Sequence, residues 1–126
     1  MAARISELVL DCRDPRALAD FWCAVLGFVL LDDEDGALEI GPESGFGGAQ
    51  PTIILSPTDT PRTGKLRLHF DLNATDRDQA DELARLLALG ARPVDVGQSA
   101  DATWHVLADP EGNEFCLLRR RLDPLP

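Results

Sequence analysis

Residues 5 to 27 run ISELVLDCRDPRALADFWCAVLG, and residues 66 to 90 run LRLHFDLNATDRDQADELARLLALG. In the first stretch, Ile5 to Leu10 is an apolar-rich strand. Asp14-Pro15 then supplies an N-cap with proline at the first helical position. Leu18, Phe21, Trp22, Val25 and Leu26 recur at helical spacing, so they form one buried face with Trp22 in the core, and Gly27 is the left-handed stop. The second stretch repeats the order. Leu66 to Leu72 reads as a strand, and Asp76 reads as a cap with Gln79 in capping-box position. Leu83, Leu86 and Leu87 form the apolar stripe, and Gly90 ends it. Glu7 lies seven residues before Asp14 and His69 seven before Asp76, while the two glycines follow their caps by 13 and 14. Two copies of one unit share a register.

Working outward, Phe28 to Leu31, an acidic turn at Asp32 to Gly36, Ala37 to Ile40, a glycine-rich loop around Phe46 and the β-branched Thr52 to Ser56 complete a β-α-β-β-β unit. Val94 to Val96, Thr103 to Leu107 and Asn113 to Leu118 complete the second, with Asp109-Pro110-Glu111-Gly112 as the turn before the last strand. The fold class predicted is α+β, one domain of two tandem βαβββ modules: module one over about 4–57, a linker over about 58–64 and module two over about 65–120. A sheet with one apolar face cannot bury it alone. The two sheets are therefore expected to pair and leave a concave side in which a small molecule is held.

Composition excludes several partner classes. With 22 acidic against 12 basic residues the net charge is -10, which repels nucleic-acid phosphates and anionic lipid surfaces. Arg119 to Arg121 reads as a solvated strand end. No apolar run approaches the ~18 residues of a membrane span, and no signal pattern opens the chain. Cys12, Cys23 and Cys116 form an odd set without CxxC spacing, which points to a reducing, cytoplasmic setting and away from a disulfide framework or structural zinc. Gly45 to Gly48 lacks the following helix and lysine of a phosphate loop and reads as a lid.

The pattern resembles the vicinal oxygen chelate superfamily, which includes glyoxalase I, extradiol dioxygenases and bleomycin- and fosfomycin-resistance proteins. The resemblance is carried by ELVLDCRDP (Glu7 to Pro15), LGF (Leu26 to Phe28), LHFDL (Leu68 to Leu72), LALGARPV (Leu87 to Val94) and DPEGNEFCLL (Asp109 to Leu118), and is greatest to the glyoxalase-like subgroup. It implies a cupped mixed sheet and a central metal held from the first and last strands of each module. Carried over by position, the four places are Glu7, Ile54 or Ser56, His69 and Cys116. Only His69 matches the usual donor, so no cofactor is expected. The alternative is one divalent ion (Ni, Zn, Mn or Fe) on Glu7 and His69, serving a lyase, isomerase or dioxygenase.

The candidate polar groups of the cup are His69, Glu7 and Glu114, in ligand-orienting or acid–base roles. Glu7 shares the inward parity of Val9 and is costly to bury unpaired. Glu114 and Cys116 alternate onto one strand face; Glu114 either meets solvent or a loop N–H or, facing inward, orients the His69 imidazole, and such a pair raises the imidazole pKa. Trp104 and Phe46 are expected as an aromatic wall for a flat ligand, with Ser56 and Cys116 also lining it. His105 points to the opposite face from Trp104 by parity. Two exposed sheet edges predict a homodimer.

Overall fold

The computed structural model describes residues 2–60 and 62–125; Pro61, inside the expected linker, lies outside the described residues. The chain divides into two units, Met1–Arg62 and Thr63–Pro126.

In the first unit the order is β1 (Glu7–Cys12), α1 (Pro15–Leu26), β2 (Val29–Glu34), β3 (Ala37–Gly41) and β4 (Thr52–Pro57). These strands form one sheet in the order β1-β4-β3-β2, with β1 parallel to β4 and the other pairs antiparallel. Helix α1 forms where its caps and stripe place it. Asp14 accepts a bond from the Ala17 N–H at 3.1 Å, satisfying one of the orphan donors of the first turn. Gly27 ends the helix at φ 68°, where a side chain would be strained, and its N–H donates to the Cys23 carbonyl. Leu18, Phe21, Trp22 and Val25 are buried, with Phe21 and Trp22 edge to face at 5.2 Å. Leu38, Ile40, Ile53 and Leu55 are buried apolar residues of this sheet, with Cys12 and Thr52 buried beside them. The acidic turn becomes a two-residue hairpin: Asp35 and Gly36 take φ of 54° and 89°, the positive pair a type I′ turn requires. Gly41, by contrast, is closely packed. A Cβ there would come within 2.7 Å of Thr52 Cγ2 and 2.8 Å of Leu31 Cδ1.

In the second unit β5 (Phe70–Leu72), α2 (Gln79–Leu89), β6 (Arg92–Pro93), β7 (His105–Ala108) and β8 (Glu114–Leu117) repeat the plan, and the sheet order β5-β8-β7-β6 reproduces that of the first. Here too the first and last strands pair in parallel and the other two pairs are antiparallel. The chain is α+β with two tandem βαβββ modules. Phe115, Leu117, Leu107 and Leu86 are buried within the second module.

Several local expectations are corrected there. The helix cap is Asp78, not Asp76: its carboxylate accepts from the Asp81 N–H at 2.8 Å, while Asp76 pairs with Arg77 at 2.9 Å. Gln79 is accordingly the first helical residue, and its amide reaches the carbonyls of Thr103 and Leu117. Gly90 follows the true cap by 12 residues, so the seven-residue match of His69 to Asp76 is not a match to the cap. The stripe turns as well. Leu86 is buried but Leu87 is 39% exposed, and Glu82 is buried in its place, held by Arg85 at 2.6 Å.

The first strand of module two starts at Phe70, not Leu66. Its neighbour β8 begins only at Glu114, which in the register of Phe70 with Phe115 leaves Leu66 to Leu68 without ladder partners. Asp109, fully buried, accepts from the N–H groups of Glu111 (2.9 Å) and Asn113 (3.0 Å) and from the Asn113 amide (2.9 Å), so those residues are committed to the turn. The expected strand Val94 to Val96 is displaced to Arg92–Pro93, with Val94 N–H still donating to the Val106 carbonyl at 2.9 Å and Gln98 turning the chain by accepting from Val96 N–H.

Candidate functional site

On β5 and β8 the parallel register sets Asp71 opposite Cys116, and on β7 Val106 is opposite Cys116 as well. Alternation along each strand therefore puts Asp71, Glu114, Cys116 and Val106 on one face of the sheet, with His69 and Trp104 just before β5 and β7 bordering the same hollow, while Phe115 and Leu117 take the buried face. That face borders a cavity of about 330 Å³. Its apolar wall is Leu66, Val96, Trp104, Val106 and Leu118; its polar groups are Lys65, His69, Asp71, Glu114 and Cys116. The volume suits a small organic molecule.

Four of the sequence candidates, His69, Glu114, Cys116 and Trp104, thus line one cavity in module two. Glu7, Ser56 and Phe46 belong to module one. Glu7 is exposed at the start of β1, Ser56 is half-buried opposite Asp11, and Phe46 is 61% exposed in its loop. In that loop the Arg4 guanidinium donates to the carbonyls of Gly47 at 3.1 Å and Gly48 at 2.6 Å. On β4 the hydroxyl of the buried Thr52 donates to Oε2 of the half-buried Glu39 at 2.7 Å. His105 is exposed and pairs with Leu117 in the ladder, on the opposite parity to Trp104.

The partner of the imidazole is Asp71, with His69 Nε2 3.1 Å from its Oδ1 and both side chains about half exposed. Asp71 was not among the candidates, although the alternation His-x-Asp in LHFDL places the two on one face and was the signal available. Asp71 also serves Cys116. Partial burial pushes the Cys116 thiol up from its ordinary pKa; the nearby Asp71 charge and the hydrogen bond to Asp71 push it the same way, and Lys65 pulls weakly back. The resting group is a protonated thiol, a poor nucleophile.

The donor set decides how a family-type metal fits. Of the four superfamily places, Ile54 has no donor atom and Ser56 only a neutral hydroxyl, so module one offers Glu7 alone. The usual four-donor arrangement does not fit this chain. Module two differs: one ligand atom each from His69, Asp71 and Cys116 all lie within 4.8 Å of one another.

Two tandem βαβββ modules with the same strand order are the architecture of the vicinal oxygen chelate superfamily. The chain belongs to the glyoxalase-like domain family, which matches residues 7–118. No curated protein matches. Among solved structures, the chain is similar to a glyoxalase/bleomycin resistance protein/dioxygenase family enzyme from Burkholderia phytofirmans, at 19% identity over 91% of this chain and 97% of that one, TM-score 0.66. The fosfomycin resistance protein FosX of Mesorhizobium loti superposes at TM-score 0.69 with 12% identity, over 97% of this chain and 96% of its own. TnmS3, an antibiotic binding protein from a Streptomyces species, is 21% identical over 93% and 95% of the two chains, TM-score 0.59. At these identities the likeness is one of fold. Among the described residues no helix is long and apolar enough to cross a membrane.

Proposed function

We propose that the chain binds a small organic molecule in the module-two cavity, with Trp104, Val106 and Leu118 supplying apolar contact and His69, Glu114 and Lys65 orienting its polar end. The observation that carries this reading is the convergence of an exposed aromatic and titratable groups of both signs on one hollow of about 330 Å³. Trp104 is 41% exposed, which leaves indole face for a flat ligand. Lys65 and His69 favour a ligand bearing a carboxylate or carbonyl.

Titration with a panel of flat aromatic carboxylates and aromatic antibiotics, read by tryptophan emission, tests it. Saturable quenching is expected, lost in Trp104→Phe and weakened about fivefold in His69→Ala, the worth of one hydrogen bond of about 1 kcal/mol. Quenching that persists unchanged in Trp104→Phe moves the site elsewhere and defeats the proposal. The enzymatic alternative, metal-assisted lyase, isomerase or dioxygenase chemistry, is favoured by one observation, the close His69, Asp71 and Cys116 donors. A homodimer belongs to the same proposal: Ile5, Val9 and Leu30 of module one are exposed, at 68%, 63% and 44%, and cover by a second copy would bury them. Sedimentation at micromolar concentration is expected to give twice the chain mass.

A further inference from the structure

We infer that His69, Asp71 and Cys116 form a site for a borderline-soft divalent cation of the zinc and cobalt(II) class, built wholly from module two. The inference rests on the cavity reading above and deepens it by naming what sits at the cavity's polar end. It departs from the superfamily's four-place arrangement, because Asp71 occupies none of those places and no donor from module one is required.

Three observations carry it. The first is distance. In a tetrahedral site with bonds of roughly 2.0–2.3 Å, neighbouring donors stand roughly 3.3–3.7 Å apart. His69 Nε2 and Asp71 Oδ1 are 3.1 Å apart, and the whole set lies within 4.8 Å, so small side-chain rotations bring all three to one ion without moving the ladder. The second is donor chemistry. One imidazole nitrogen, one carboxylate oxygen and one sulfur select zinc or cobalt(II), whereas all-oxygen sets select magnesium, calcium or manganese. The third is charge. On binding, the thiol proton now directed at Asp71 leaves to solvent and the sulfur bonds the ion. The thiolate, Asp71 and Glu114 then offset a dication together with Lys65, which also borders the cavity. Three protein donors leave a fourth position open toward the hollow, as in zinc sites that act on a bound ligand. A small molecule with an oxygen donor is the class that completes it.

The test uses the full chain stripped with a chelator and titrated with cobalt(II). One equivalent is expected to bind with a near-ultraviolet thiolate-to-cobalt charge-transfer band and visible bands of tetrahedral intensity, displaced by zinc. Cys116→Ser should abolish the charge-transfer band, and Asp71→Asn should weaken binding by about tenfold or more, a scale reached even by residues one shell further out. Circular dichroism checks that the variants fold. In case Cys116→Ser does not, peptide mapping on the unaltered protein asks whether cobalt protects Cys116 from alkylation, as it should. Absence of the band, its survival in Cys116→Ser, or failure to protect Cys116 overturns the site; loss of binding in Glu7→Gln overturns the claim that module two suffices. The two readings fail separately. If metal-free protein quenches with the aromatic panel but binds no cobalt, only the metal site falls; if cobalt binds and no organic molecule does, the cavity proposal falls.

Discussion

Module one and module two share a strand order but not a strand length. In module one the parallel ladder of β1 and β4 pairs Glu7 to Cys12 with Thr52 to Pro57 without a break. In module two the equivalent ladder spans only Phe70 to Leu72 with Phe115 to Leu117. The difference follows from what precedes the last strand. Asp109 ties up the backbone around Asn113, so β8 has nothing to offer Leu66 to Leu68, and His69, level with Glu114, lies just outside the regular strand. A side chain released from the ladder can settle against Asp71 and face the cavity. Regular hydrogen bonding and a cluster of polar side chains compete for the same residues, and the two modules resolve that competition in opposite ways.

Core substitutions test whether a short ladder also means a weak core. Trp22→Ala in module one and Phe115→Ala in module two should each cost about 3–5 kcal/mol, the range for a fully buried aromatic, since they are 2% and 1% exposed. Denaturant midpoints check this; a near-neutral Phe115→Ala would show that module two owes little to its core.

The next effect belongs to the turn that shortens β8. Asp109→Ala strands two backbone N–H groups and the Asn113 amide, and should cost about 1.5–3 kcal/mol, as for bonds to a charged acceptor. Hydrogen exchange should quicken at Glu111 and Asn113; protection left intact would mean the turn does not set the strand limit.

Smaller still are the helix caps. Asp14→Ala and Asp78→Ala should each lower stability by about 1 kcal/mol, whereas Asp76→Ala, which caps nothing, should leave the unfolding midpoint where it was. The reverse ranking of Asp76 and Asp78 would restore the seven-residue register between His69 and the cap.

The smallest expected effect is the pH dependence at Cys23. Burial first, and the Asp20 charge second, push its thiol up from the ordinary value. The folded state therefore holds this proton to higher pH than the unfolded chain does. The stability this adds is complete below the unfolded thiol pKa and is lost as pH rises through the raised folded value. Asp20→Asn should bring the pH profile of Cys23 alkylation, followed by peptide mass, down toward the ordinary thiol; an unmoved profile would leave burial as the sole cause.

What the residues alone determined is the repeated plan. Asp14-Pro15, the stripe from Leu18 to Leu26 and Gly27 act within a few positions of one another, so α1 was legible without its surroundings, and so was the order of strands, though Leu66 to His69 and Val94 to Val96 read as strand and are not. His69, Glu114, Cys116 and Trp104 were nameable because alternation along a strand is a local property. Only the tertiary structure decided where β5 begins, that Asp78 caps α2, and that Asp71 stands between His69 and Cys116. Those outcomes depend on which neighbour captures each backbone N–H and each side-chain proton. Asp71 and Cys116, 45 positions apart, meet in that exchange with no record in the order of the chain, while the choice of Asp78 over Asp76 as cap is local and turns on which carboxylate Arg77 takes.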